Sequence, residues 1–271
     1  MNGPISFGAF SAAPKVTCLR STTPVPGFGV LPVNAFVIDA PQPVLIDTGL
    51  PALVDQTIAS LAQRIDPTDL GWIWLTHCDA DHVGALEPLL DLAPRARIVT
   101  NYLGMGKLSM RLALPPERFY LINPGQSLDV GDRSLQAVAL PSYDAPETMG
   151  VFDPVSRSLF SSDCFGALLD ESYAARPVDD VAGIEAASVV EGLSTWAMVD
   201  APWLARVDDA SFRSSLSELE RLGAVHVLSA HLPPAPGKLA WLLEQLDRSR
   251  GRDPFVGPDQ AALEAMLGAA A

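Results

Sequence analysis

The stretch Trp72-Ile73-Trp74-Leu75-Thr76-His77-Cys78-Asp79-Ala80-Asp81-His82-Val83-Gly84 joins an apolar run to a loop dense in imidazoles and carboxylates. Trp72 to Leu75 reads as a buried strand, and the loop after it lies at the edge of its sheet. His77, Asp79, Asp81 and His82 crowd into this one loop, although the whole chain holds only 4 histidines. An Asp-rich surface turn is the plainer alternative, but a solvated turn has no need of two histidines. Nitrogen and carboxylate donors packed this closely at a strand end point to metal binding.

On either side of that stretch, short apolar and β-branched runs recur at Val16 to Leu19, Ala35 to Ile38, Val44 to Ile46, Arg97 to Thr100 and Gln136 to Leu140. Each is bounded by Gly, Pro, Asp or Asn, or lies close to one, as strands are. Val225 to Ser229 reads the same way. Between the runs lie helical patterns at Pro51 to Gln63, Gly84 to Leu92, Tyr102 to Leu112, Ala182 to Met198 and Pro202 to Leu222, then from Gly237 to about Leu246 and from Asp259 to Leu267. In Pro202 to Leu222, the residues Leu204, Val207, Phe212, Leu216 and Leu219 form one apolar stripe. Strands grouped in both halves, with helices following, predict an α/β fold of two packed sheets with helices outside. No repeat or low-complexity linker divides the chain. A single domain over residues 1–271 is expected, its core at about 15–245 with a C-terminal helical extension over 246–271.

Acidic residues outnumber basic ones 32 to 18, a formal charge of −14, and no Lys/Arg cluster offers the positive footprint that nucleic acid binding needs. No run of about 18 apolar residues predicts a membrane span. Met1 to Lys15 lacks the basic start and apolar block of a secretory signal, so a cytoplasmic protein is expected. The widely spaced Cys18, Cys78 and Cys164 agree with a reducing compartment.

The motif His77-x-Asp79-x-Asp81-His82 after a strand resembles the His-x-His-x-Asp-His signature of the metallo-beta-lactamase superfamily. A carboxylate in place of the second histidine is similar to the diiron branch, where the motif reads His-x-Glu-x-Asp-His. That branch contains flavodiiron proteins and stand-alone oxygen-binding diiron proteins. Val33-Asn34-Ala35-Phe36 and Leu45-Ile46-Asp47-Thr48-Gly49 resemble early strands of the superfamily. Ser161-Ser162-Asp163-Cys164-Phe165-Gly166 resembles the branch's Asp-x-Phe-Gly setting, and His231 in Ala230-His231-Leu232-Pro233 matches the final histidine. The resemblance covers about residues 15–245. It implies a metallo-beta-lactamase-like αββα sandwich, two mixed β-sheets with helices outside, with Asp163 bridging two metals and His231 a ligand. A turn aspartate and a buried core histidine are the plainer readings of those two residues. His226, an odd number of residues before His231 on the same strand, points to the opposite face and reads as structural.

One histidine of the superfamily, between the first motif and the bridging aspartate, is missing. In the diiron branch it precedes a Pro-Asp/Glu-Ser/Thr-Met run, matched here within Pro141-Ser142-Tyr143-Asp144-Ala145-Pro146-Glu147-Thr148-Met149. Counting two residues back from Pro146 places Asp144 there. Tyr143, reached by a one-residue slip, and an unfilled position are the alternatives. The resemblance then implies a first metal held by His77, Asp79, Asp144 and Asp163, and a second held by Asp81, His82, Asp163 and His231. Its carboxylates, Asp79, Asp81, Asp144 and Asp163, balance the charge of two divalent ions. Such an oxygen-rich, thiolate-free set favours iron, with zinc or manganese possible. Cys78 and Cys164 flank the ligands and read as packing residues.

Two chemistries suit such a pair. A bridging hydroxide could attack an ester, lactone or thioester, as in a dinuclear metallohydrolase. Alternatively, a ferrous pair binds dioxygen and gives up electrons. Crowded carboxylates weaken Lewis acidity and tolerate oxidation, and the branch resembled handles oxygen. The expectation is therefore a diiron oxygen-binding or oxygen/nitric-oxide-reducing protein, with a metallohydrolase second and a metal-poor binding module third. No Gly-rich phosphate loop follows a strand, so no FMN is expected in this chain, and reduction would need an external electron donor. Dioxygen or a small-molecule substrate is the expected partner, and the resemblance implies a homodimer. Candidate pocket loops are Pro24 to Gly29, Asn101 to Met110 and Asp170 to Val181, with Phe28, Tyr102 and Tyr173 as their rings.

Overall fold

In the computed structural model, which describes residues 3–269, two mixed sheets lie face to face. The first runs β1 (Ile5–Ala13), β2 (Val16–Val25), β3 (Gly29–Ile38), β4 (Val44–Ile46), β5 (Trp72–Trp74), β6 (Arg97–Thr100) and β7 (Phe119–Leu121) in sequential order. Strands β1 to β4 pair antiparallel, as tight returns allow. Strands β4 to β7 pair parallel. Each parallel step needs a long crossover, and the intervening sequence supplies one as α1 (Val54–Ala62), α2 (Leu86–Leu92) and α3 (Tyr102–Ser109).

The second sheet contains β8 (Ser127–Asp129), β9 (Ser134–Val138), β10 (Gly150–Asp153), β11 (Ser158–Phe160), β12 (His226–Leu228) and β13 (Ala235–Pro236) in adjacent order. Only β11 and β12 pair parallel. Their connection carries α4 (Ser172–Ala175), α5 (Ala186–Asp200) and α6 (Asp209–Glu220), and α7 (Leu239–Ser249) and α8 (Gln260–Ala269) come after β13.

Side-chain alternation sorts the core into layers. Phe36, Ile46, Trp74 and Val99 of the first sheet meet Leu135, Val151, Phe160 and Leu228 of the second. The intervening Leu45, Ile73 and Ile98 face Leu61, Leu86 and Leu89 of α1 and α2. On the other side, Phe152, Leu159 and Val227 pack with Val189 and Leu193 of α5, Phe212 and Leu216 of α6, and Leu242 of α7. The result is an αββα sandwich. Burying each large apolar side chain in these layers contributes roughly 1.5–3 kcal/mol.

The architecture agrees with the expected fold, and several elements differ in detail. Strand β1 extends the first sheet ahead of Val16 to Leu19, the earliest strand expected from the sequence. Gly8, Ala9, Ser11 and Ala12 give that edge strand little β-branched or apolar signal. The helical pattern at Pro202 to Leu222 splits into a 3-10 turn at Pro202–Arg206 and α6. The break follows Val207, where the Asp208 side chain accepts a hydrogen bond from the Ser211 amide and starts a new helix. Helix α7 carries the core to Ser249 through buried Gln245 and Leu246. The pattern at Asp259 to Leu267 is α8; the last two residues of the expected extension, 270 and 271, lie outside the described residues.

Strands β4, β5, β11 and β12 direct their C-terminal ends to one edge of the sandwich, where open α/β sheets bind ligands. Non-glycine residues adopt positive φ there: Asp47 at 57°, Ser162 at 50° and Phe165 at 67°. Such conformations cost about 1–3 kcal/mol each and persist where surrounding contacts enforce them. Among the described residues no helix is long and apolar enough to cross a membrane.

Gly84 ends the histidine loop against the β4 turn, with its amide donating to the Gly49 carbonyl. A Cβ there would collide with backbone atoms of Gly49, Leu50 and Pro51. Gly84→Ala is expected to destabilise the protein by about 2 kcal/mol or more, because backbone cannot yield as a side chain does. An unchanged denaturation midpoint would contradict this.

Candidate metal centre

Strand β5 ends with Trp74, and the Asp47 carboxylate at the end of β4 anchors the chain just beyond it. Asp47 Oδ1 accepts from the Thr76 amide at 2.8 Å, and Oδ2 accepts from Thr76 Oγ1 at 2.7 Å. The next residue, His77, enters the edge at 1% exposure. The loop then turns back, with the His82 amide donating to the Asp79 carbonyl and the His82 carbonyl accepting from the Thr48 amide. His231 is held from the first sheet. Asn34 on β3 donates to the carbonyls of Ser229 and Leu232, bracketing His231 on both sides.

The hydrogen-bond network determines which nitrogen of each imidazole is free. His231 Nδ1 lies 2.8 Å from the Pro32 carbonyl, which can only accept, so Nδ1 carries the proton. His82 Nδ1 lies 2.9 Å from Asp47 Oδ2 and donates likewise. Ser162 Oγ donates to Thr76 Oγ1 at 2.8 Å, leaving its lone pair for His77 Nδ1 at 3.3 Å. All three neutral rings therefore present a bare Nε2. These atoms converge on Asp163: His82 Nε2 is 2.9 Å and His231 Nε2 3.1 Å from Oδ1, and His77 Nε2 is 3.5 Å from Oδ2.

Lone pairs thus face lone pairs. His82 Nε2 and Asp163 Oδ1 are buried without a hydrogen-bond partner. Only cations between them relieve that opposition. In the metal-free protein protons serve. Burial opposes charge on His82 and His231, but Asp163 acts on both, with Asp47 on His82 and Asp81 on His231, and holds their proton affinity above the usual histidine value. Burial also disfavours charge on Asp163, yet the three facing histidines hold its carboxyl well below the usual range. Imidazole nitrogens and carboxylate oxygens with bare lone pairs are the donors that borderline and hard divalent metals take. The residues present therefore fit a metal pair.

The remaining carboxylates surround this nucleus. His77, Asp79 and Asp144 bring one ligand atom each within 4.8 Å of one another, and so do Asp81, His82 and His231. All seven residues expected from the sequence, His77, Asp79, Asp81, His82, Asp144, Asp163 and His231, meet at the edge in these groups and in the group His77, His82 and Asp163. The Tyr143 ring packs on Trp203 at 5.0 Å between centroids. His226 joins none of these groups. Cys78 and Cys164 are buried, burial pushes both thiols up to about 12, and neither joins any of these groups.

Three contributors escape a reading of the sequence. Asp47 is visible there only as part of a strand and turn, not as the acceptor of the His82 ring. Trp196 on α5 donates to the Asp163 carbonyl at 3.0 Å and packs 4.8 Å from the His231 ring. Asp200, the last residue of α5, is 9% exposed and groups with Asp144 and Asp163. Burial, then the charges of Asp163 and Asp144, push its carboxyl up to about 8. The one available signal is an aspartate at a helix C-terminus, against the macrodipole. Of the expected pocket loops, Asn101 to Met110 is largely helix α3. Parts of the other two, around Pro24 and Glu171, line a cavity of about 270 Å³ whose walls include none of the seven residues.

A family model described as ODP family beta lactamase matches residues 31–190, more than half of the chain. The chain belongs to that family. Its matched segment spans the first motif, Asp144 and Asp163. An uncharacterised protein of Methanocaldococcus jannaschii is 31% identical over 133 residues, which are 49% of this chain and 34% of the relative. The nitric oxide reductase of Moorella thermoacetica is 27% identical over 133 residues, 49% of this chain and 33% of that protein. The match thus spans about a third of these curated relatives. Among solved structures, rubredoxin oxygen:oxidoreductase from Desulfovibrio gigas superposes with a TM-score of 0.77 at 15% identity, covering 89% of this chain and 61% of that one. The flavodiiron protein from Giardia intestinalis gives 0.73 at 17% identity, covering 89% and 59%. The ODP family member therefore has the fold of flavodiiron cores.

Asp47→Asn removes the charge that orients the His82 ring, and is expected to weaken metal binding about 10- to 100-fold with the fold retained. Competition titration against a chelator checks it, and unchanged affinity would sink the assigned role. A second expectation concerns pH. His82, His231 and Asp200 hold protons more tightly folded than unfolded, since each value is raised above its ordinary one. Their stabilisation is complete at low pH and is lost as pH rises through the folded values. The melting temperature of metal-free protein should therefore fall from about pH 6.5 upward, while the gain on adding metal grows, because metal replaces those protons. A metal-free melting temperature that rises across that interval would refute it.

Proposed function

We propose that this chain holds two irons and binds or reduces dioxygen or nitric oxide, with electrons delivered by an external donor. The observation that carries this reading is the convergence of three imidazole Nε2 atoms on the one buried carboxylate of Asp163, at 2.9 to 3.5 Å. His77, Asp79 and Asp144 would hold the first metal, Asp81, His82 and His231 the second, and Asp163 would be shared. When bound, an iron pair supplies the electrons and vacant positions that a diatomic substrate requires.

The chain's own groups do the rest. Asp47, Pro32 and Ser162 hold the far side of each imidazole, so the rings cannot turn their protonated nitrogens inward. Trp196 covers the His231 ring and excludes water from that side. Asp79 and Asp144 are the exposed members of the set and leave the site approachable from their side. Carboxylate donors stabilise higher metal charge, which favours redox work over the Lewis acidity that hydrolysis needs. The names of the relatives, a nitric oxide reductase and a rubredoxin oxygen:oxidoreductase, support the same choice.

Metal content of protein expressed with balanced iron, zinc and manganese tests the proposal, followed by anaerobic titration of the ferrous form with dioxygen and nitric oxide. About two irons per chain and a ligand-dependent absorption change or gas consumption are expected. Two zincs that persist after iron reconstitution, with turnover of a lactone or thioester abolished by His82→Ala, would replace this reading with a hydrolase.

A further inference from the structure

The geometry points to Asp200 as a further ligand of the first metal position, making that position selective for oxygen-preferring cations. The inference rests on the two-metal reading above and adds a residue from an element outside its ligand loops.

Asp200 ends α5, and its carboxylate lies within 4.8 Å of the ligand oxygens of Asp144 and Asp163. Three carboxylates this close repel one another, and the helix C-terminus adds its own partial negative charge. Among the described residues no lysine or arginine answers them; only the imidazoles of the site face Asp163. The last turn of α5 has no basic residue. Among the described residues, Asp163 pairs only with histidines, and neither Asp144 nor Asp200 forms a salt bridge with a lysine or arginine. Independently, Asp163 is 5% exposed, and its Oδ1, which meets only the Nε2 atoms of His82 and His231, has no hydrogen-bond partner. A buried carboxylate oxygen that meets only imidazole nitrogens, beside two further carboxylates with no lysine or arginine, is a place for a cation, not for a structural ion pair.

With Asp200 the two positions become unequal. The first is surrounded by Asp79, Asp144, Asp163 and Asp200 with the single imidazole of His77. The second has His82 and His231 with Asp81 and Asp163. Carboxylate oxygen suits manganese and imidazole suits zinc and iron, so the first position favours the harder ion relative to the second. Charge points the same way. Asp79, Asp81, Asp144, Asp163 and Asp200 carry one negative charge more than two divalent cations neutralise, and that excess favours a trivalent ion at one position.

Metal-free full-length protein is titrated with Mn2+ and with Zn2+, in wild type and in Asp200→Asn and Asp200→Ala, with bound metal counted after dialysis. Wild type should take two Mn2+ per chain. Both variants should lose the first position, its Mn2+ affinity falling at least tenfold, while one Zn2+ still binds within twofold of wild type. The Mn2+ paramagnetic resonance spectrum of singly loaded protein should change as well. Equal Mn2+ binding in wild type and both variants overturns the role of Asp200 and leaves the two-metal reading standing. Equal loss of Mn2+ and Zn2+ at both positions assigns Asp200 a purely structural role and also overturns it. Wild type that binds neither metal overturns the two-metal reading and this inference together.

Discussion

The opposition between the Asp163 carboxylate and three bare imidazole nitrogens governs how the open edge of the sandwich is built. A buried negative charge is expensive unless a cation meets it. Here the histidines that meet it have their own protons turned outward, so they can answer Asp163 only by binding a second proton or by sharing a metal. That requirement explains why the edge is made from strand ends. Four strands of two sheets deliver backbone rigidly enough to hold lone pairs against each other, which a free loop would relieve by moving.

The outer hydrogen bonds enforce the arrangement. Asp47 grips His82 and Thr76, the Pro32 carbonyl grips His231, and Ser162 and Thr76 relay from His77 to Asp47. Each of these partners sits on or beside a strand of the inter-sheet core, so packing of Phe36, Ile46, Trp74 and Phe160 is coupled to ring orientation. Positive φ at Asp47 and Ser162 fits the same account: the backbone bends unfavourably where a side chain must be aimed.

The second feature is asymmetry. On the proposed assignment, the Asp144 carboxylate, where the resemblance implies an imidazole, and Asp200 alongside it would shift one half of the site toward oxygen donors, while His82 and His231 would keep the other half nitrogen-rich. A pair of unequal positions would suit the proposed electron transfer to a small ligand better than polarising a carbonyl.

The sandwich and the cluster of histidines and carboxylates at its edge are legible in the chain alone, because both are written in local patterns. Alternation in Val44 to Ile46 and Trp72 to Leu75 assigns strands, and the motif from His77 to His82, with Asp163 and His231 after apolar strands, marks one edge. Asp144 is placed by its distance from Pro146, a local count. Edge strand β1 is hidden because small residues carry no strand signal, and the break before α6 is hidden because a capping aspartate outweighs a continuous apolar stripe. That Asp47 orients His82, that Trp196 covers His231 and that Asp200 reaches Asp163 emerges only once the chain is folded. Those contacts join residues far apart in the chain, and no periodicity or spacing encodes which helix end a folded sheet edge will meet.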